Sequence, residues 1–291
     1  MSNKVVLAGG RGFLGQALAR VLAADGWEIV VLSRDPREDA PFREVLWNGE
    51  TGGAWAAELE GAAALVNLAG RSINCVHTLE HSREIVDSRL KSVRALAKGW
   101  ARAKNPPPVW VQCSATGFYG NAGDRFCEET LPPGPGFLAE VCRLWEDSFG
   151  PVLDRHTGPL RVLVGLARKF LGGAAGSGRQ FMSWVHRDDA AAIFAAAVRR
   201  PELAGVYNAC APGPGTNAEF MRELRAAVNR PWCPPAPEFA VRLLAENLFH
   251  TDGNLVLHGQ RCTPQRLLAT GFRFRHPAVG EAIRDLTFRE F

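Results

Sequence analysis

The stretch "LAGGRGFLGQAL" sets Gly9, Gly12 and Gly15 at three-residue intervals. Glycines so placed let a backbone turn approach a pyrophosphate with no Cβ in the way. They also aim the free N–H groups of a helix opening at Phe13 and Leu14 toward its negative charge. The spacing alone is a weak signal, and its surroundings strengthen it. An apolar run from Lys4 to Ala8 comes before it. After it, Leu14, Ala17, Leu18, Val21 and Leu22 share one helical face, and Glu28 to Leu32 forms a second β-branched run. Strand, glycine turn, helix and strand in that order predict a dinucleotide site. Sites for NAD usually end the second strand with a carboxylate that holds the ribose hydroxyls, whereas this strand ends Leu32, Ser33, Arg34. The Arg34 guanidinium, joined by Arg11 from the turn, suits a 2′-phosphate, so NADP (NADPH) is the expected cofactor. The competing reading makes Arg34 a plain surface cation and Asp35 the ribose ligand.

Three further groups have the chemistry to act on a substrate. In "CSATGFYG", Ser114, Thr116 and Tyr119 follow a strand, at the carboxyl edge where open α/β sheets bind ligands. Tyr119 is the best acid of the three, and structural hydrogen bonding is its other reading. His186 titrates near neutrality in an ordinary setting, yet it precedes a helix that opens with Asp188 and Asp189, so orienting that turn competes with catalysis. Arg179, in a glycine-rich loop, is suited to anchoring an anionic substrate.

These residues need a scaffold, and the periodicities supply one. Further strands are expected at Ala64 to Leu68 and Val109 to Cys113. Between them lies a helix on which Ile85, Arg89, Val93, Leu96 and Trp100 share a face. Such alternation implies an α/β fold, a doubly wound parallel Rossmann sheet covered on both sides. From residue 172 the texture changes to a glycine-rich loop, a short strand at Met182 to Val185, a helix from Asp188, and elements broken by prolines. The expected division is a Rossmann domain over 1–171 and a smaller C-terminal substrate lobe over 172–291, with some elements interleaved. Thr216 and Glu219 have the spacing of a capping box.

Composition excludes other classes. A chain of 291 residues with 46% hydrophobic content can bury a large core. The net charge of +4 comes without a basic run, so neither nucleic acid nor membrane is an expected partner; a small molecule is, with a homodimer as an admissible assembly. The cysteines lack Cys-x-x-Cys and His/Cys ligand spacings, which predicts reduced thiols, no metal site and a cytoplasmic location. No charged leader with an apolar stretch stands at the N-terminus.

Over nearly its whole length the chain resembles the extended short-chain dehydrogenase/reductases, in the atypical "epimerase family" branch related to NAD(P)-dependent epimerase/dehydratases. The matching pieces are "GGRGFLG", "VNLAGRSI" at 66–73, "DSRLKSVRAL" at 87–96, "CSATGFYG", "GFLAEVCRLWE" at 136–146, "GSGRQFMSWVHRDD" at 176–189, and "TNAEF" with "QRLLATGFRF" further on. The resemblance implies that Asn67, Leu68, Ala69 and Gly70 line the cofactor and that the C-terminal lobe closes over the nicotinamide. It also implies a Tyr-x-x-x-Lys on the helix near residue 138, where the Tyr exchanges a proton and the Lys holds the ribose. Counting back from Glu146 puts Leu138 and Cys142 in those slots. Neither is a proton donor of that kind, so an oxidoreductase or epimerase of this chain needs a non-standard donor. Its class rival is an NADPH-binding sensor without turnover. Relatives also carry a strand, a turn and a long loop where this chain has only "DSFGPVLDRHTG". "PVLDRHTG" reads as a remnant of that strand and turn, leaving a short sheet edge and a more open cleft.

Overall fold

The computed structural model describes residues 3–145, 152–153, 166–168 and 172–288. At its centre lies β1 (Lys4–Ala8), hydrogen-bonded in parallel to β2 (Glu28–Ser33) on one side and to β4 (Ala64–Asn67) on the other. Outside them β3 (Arg43–Leu46) pairs with β2 and β5 (Val109–Gln112) pairs with β4, giving a five-stranded parallel sheet in the order 3-2-1-4-5. Both faces of β1 are covered, which explains why its sequence is an unbroken apolar run. Val5 and Leu7 enter one core cluster with Leu14, Leu18 and Leu22 of α1 (Phe13–Ala24), while Val6 and Ala8 enter another with Trp55, Leu59 and Leu96. Leu96 belongs to α2 (Leu79–Arg102), the helix of the stripe through Ile85 and Arg89. The strand order reverses between β1 and β4, so their carboxyl ends open the crevice where such sheets bind ligands.

The later elements pack into two core clusters. From α4 (Arg187–Arg199), Ile193, Phe194 and Val198 pack with the α1 face of the sheet. A separate cluster gathers Trp184, Phe220 and Leu224 of α5 (Asn217–Ala227), and Ile283 and Leu286 of α9 (Val279–Phe288). Three short strand pairs complete this part of the chain. In the first, β6 (Phe126–Cys127) runs parallel to β11 (Arg261–Cys262); in the second, β7 (Val152–Leu153) runs parallel to β9 (Val185–His186); in the third, β8 (Phe181–Met182) runs antiparallel to β10 (Gly215–Thr216). The single strand expected over Met182 to Val185 is therefore two. Ser183 breaks it by turning its hydroxyl to the Gln260 carbonyl and the Cys262 N–H, and the flanking pairs bind different partners. The remnant strand expected within "PVLDRHTG" is present as β7, and the turn after it lies outside the described residues. The capping box forms as its spacing predicts, Thr216 and Glu219 each satisfying a backbone N–H of the other.

Candidate dinucleotide site

Gly9 turns the chain at φ +78°, and a Cβ there would lie 2.9 Å from both the Ala69 nitrogen and the Leu68 carbonyl carbon. The glycine turn is thus seated directly on the loop that follows β4. A Cβ at Gly15 would meet the Gly10 Cα at 2.5 Å, so this glycine lets α1 lie against the turn it leaves. Gly12 donates its N–H back to the Gly9 carbonyl at 3.0 Å. The first turn of α1 has no side-chain cap and no acidic residue. The N–H groups of Phe13, Leu14 and Gly15 consequently lack intrahelical acceptors at the positive end of the helix dipole, which fits an incoming pyrophosphate. Buried Asn67 fixes the facing loop, accepting from the Ala69 N–H at 3.0 Å and donating to Gln112 at 3.0 Å. Gly9 and the Leu68–Ala69 backbone therefore meet.

At the end of β2 the structure joins Arg11 to Ser33. The Ser33 hydroxyl accepts from Arg11 Nη1 at 3.3 Å and from the Asp35 N–H at 3.2 Å, and Arg11 also donates to the Asp35 carbonyl. Carboxylates of Asp35 and of the nearly buried Glu44 each lie 3.8 Å from the guanidinium. Glu44 sits on β3, a short strand without alternation that sequence reading missed. These carboxylates hold Arg11 in place and offset part of its charge, while Arg34, the residue after Ser33, is exposed.

The two slots of α3 (Phe137–Trp145) where the resemblance expects a proton donor and a lysine hold neither. Cys142, 3% exposed on α3, has its thiol pushed up to about 11 by burial, with Arg89 and Ser114 pulling the other way. A thiol of that pKa is protonated at neutral pH and is no nucleophile. Leu138 and Cys142 pack on the turn holding Ser114 to Tyr119, where a Cβ on Gly117 would lie 3.4 and 3.5 Å from their side chains. The Ser114 hydroxyl neighbours the Cys142 sulfur, is itself 1% exposed, and has no hydrogen-bond partner of ordinary geometry.

Two candidates take structural posts instead. Tyr119 is buried, and its hydroxyl sits 3.0 Å from Asn208 Oδ1 and 3.1 Å from the Glu128 carbonyl. Burial drives its pKa well above the ordinary phenol value, which makes Tyr119 a weaker acid than a free phenol. Asn208, which also donates to the Cys127 and Thr263 carbonyls, stood out in no sequence pattern. His186 is fully buried as the N-cap of α4, its Nδ1 accepting the Asp188 N–H at 3.1 Å. Its ring stacks on His276 with centroids 3.9 Å apart, and burial together with that neighbour lowers its pKa to about 4. A ring that stays neutral at pH 7 orients the helix start and is no reserve acid. Arg179 is exposed on its loop, where its backbone N–H donates to Ser177.

A parallel sheet in this order, entered through a glycine turn at the switch point, defines a Rossmann-like fold built for a dinucleotide. Residues 5–137 match the NAD dependent epimerase/dehydratase family, and residues 236–286 match a domain of unknown function (DUF1731). Human epimerase family protein SDR39U1 is 33% identical over 97% of this chain and 99% of its own, and Bacillus subtilis epimerase family protein YfhF is 32% identical over 97% of each. The chain belongs to this epimerase family. The crystal structure of human SDR39U1 (isoform 2) with NADPH superposes with a TM-score of 0.86 at 31% identity, covering 98% of this chain and 99% of that one. Among the described residues, no helix is long and apolar enough to cross a membrane.

Proposed function

We propose that this protein binds NADP(H) and exchanges a hydride with a carbonyl or hydroxyl carbon of a small molecule, sugar-like compounds being the first class to try. The observation that carries this reading is the glycine turn of Gly9, Gly12 and Gly15, seated on the Leu68–Ala69 backbone, with its Arg11 bonded to Ser33 at the end of β2. In this reading the N–H groups of Phe13 and Leu14 hold the pyrophosphate, and Arg34 with Arg11 and Ser33 holds a 2′-phosphate. An arginine in place of the usual carboxylate is the reason to prefer NADP although the matching family is described as NAD dependent. The relative crystallised with NADPH supports the same choice. Bound there, the nicotinamide would supply the hydride. Ser114, with its unmatched hydroxyl, would orient the substrate oxygen, solvent would supply the proton, and Arg179 would anchor an anionic group.

The division at 171/172 is part of the proposal, with β9 and α4 packing against the first unit. So is a cytoplasmic location, supported by seven cysteines of which none forms a disulfide. One observation favours the sensor reading: Leu138 and Cys142 stand where a proton donor and a cation are expected. Losing a positioned acid typically lowers rate by about 10² to 10⁴. Stereospecifically deuterated NADPH, incubated with the protein and a metabolite extract, separates the two. Slow label transfer to a carbonyl compound supports the enzyme. No label in any compound, at saturating NADPH, supports the sensor.

A further inference from the structure

Arg89 is a charged residue in an apolar stripe, and the structure buries it to 8% exposure. Its Nη1 donates to the carbonyls of Arg71 at 3.0 Å and Ile85 at 2.9 Å, and its guanidinium lies 4.6 Å from the centre of the Trp145 ring. Nε has no partner, and among the described residues no carboxylate forms an ion pair with this side chain. An isolated buried cation is costly unless something polar completes it. Two neighbours say where that partner would sit. A Cβ on Gly70 would lie 3.3 Å from Arg89 Cζ, so the guanidinium packs directly against the loop expected to line the dinucleotide. The thiol of Cys142, which the count back from Glu146 puts in the lysine slot, interacts electrostatically with the guanidinium and has the Ser114 hydroxyl beside it.

We propose that Arg89 is a cofactor-binding residue that replaces the missing lysine, its guanidinium, packed against Gly70, serving the nicotinamide-ribose half of NADP(H). The cation has moved from α3 to the neighbouring α2. A guanidinium cannot be deprotonated at working pH, so this replacement holds the ribose and moves no proton. The inference rests on the NADP(H) reading above.

Two ligands separate its failure from the failure of that reading: NADPH, and adenosine 2′,5′-bisphosphate, which lacks the nicotinamide half. Calorimetry on Arg89→Met should show NADPH weakened by roughly ten- to 150-fold, the range for hydrogen bonds to a charged group, with the bisphosphate unchanged. Adding Cys142→Lys to Arg89→Met should restore much of the NADPH affinity. An unchanged NADPH affinity overturns the inference, and so does an equal loss for both ligands, which marks a purely structural role. If Arg89→Met does not fold, Arg89→Lys keeps the charge without the fork and must still weaken NADPH selectively; an unchanged ratio of the two affinities then overturns it. Wild-type protein that binds neither ligand overturns the NADP(H) reading itself.

Discussion

Gly9→Ala is expected to abolish measurable NADPH binding while leaving the protein folded. The new methyl would stand 2.9 Å from backbone atoms of Leu68 and Ala69, and backbone does not move aside as a flexible side-chain tip does. The turn and the facing loop must therefore part at the mouth of the crevice. Left-handed φ also costs a residue with a Cβ about 1 to 2 kcal/mol. Gly26→Ala isolates that second effect, because Gly26 has φ +82° with nothing within 4 Å of the added atom. Both variants should lose similar conformational stability in urea melts, with an additional loss of about 1 to 3 kcal/mol for Gly9→Ala from overpacking. Only Gly9→Ala should lose NADPH. Equal NADPH affinity in the two variants would separate the turn from the cofactor.

The largest stability effect away from the crevice is expected at Asp189. This buried carboxylate, in the first turn of α4, accepts the backbone N–H groups of Arg275 at 2.7 Å and His276 at 2.9 Å. Asp189→Ala would orphan two N–H groups and release the segment leading into α9. Hydrogen bonds to a charged group contribute about 1.5 to 3 kcal/mol each, so a loss of roughly 3 kcal/mol or more is expected from denaturant melts. A loss below about 0.5 kcal/mol, the size of an ordinary surface substitution, would show that solvent replaces those bonds. The neighbouring His186 adds a pH signature to the same melts. Its folded pKa of about 4 lies below the ordinary value of 6.5, so the unfolded chain takes up a proton first. Stability should fall as pH drops from about 6.5 toward 4 and stay level on this account above 6.5.

What could be read in advance follows the physics of each element. The sheet was legible because its strands are buried on both faces, so Lys4–Ala8 and Ala64–Asn67 appear as apolar runs that nothing else explains. The glycine turn was legible because only glycine satisfies its contacts. Strand β3 was not, since Arg43 to Leu46 is partly exposed and lacks the hydrophobic run of a strand buried on both faces. Tyr119 and His186 were legible as chemically able residues, and their surroundings were not. Their hydrogen bonds to Asn208 and Asp188, and the burial that shifts both pKa values, depend on tertiary neighbours that no spacing reveals. Arg89 stands at i+4 from Ile85 in an apolar stripe, and a charge so placed must be either paired or functional.

Selection of a 2′-phosphate at the end of β2 is tested most directly by calorimetry with NADPH and NADH on the wild-type protein and on Arg34→Asp. Charge-assisted bonds from Arg34, with Arg11 and Ser33 beside it, should make NADPH bind roughly ten- to 150-fold more tightly than NADH. Arg34→Asp should erase or reverse that preference without lowering NADH affinity. Equal affinity of the wild-type protein for the two cofactors, or a preference that survives Arg34→Asp intact, would contradict the account.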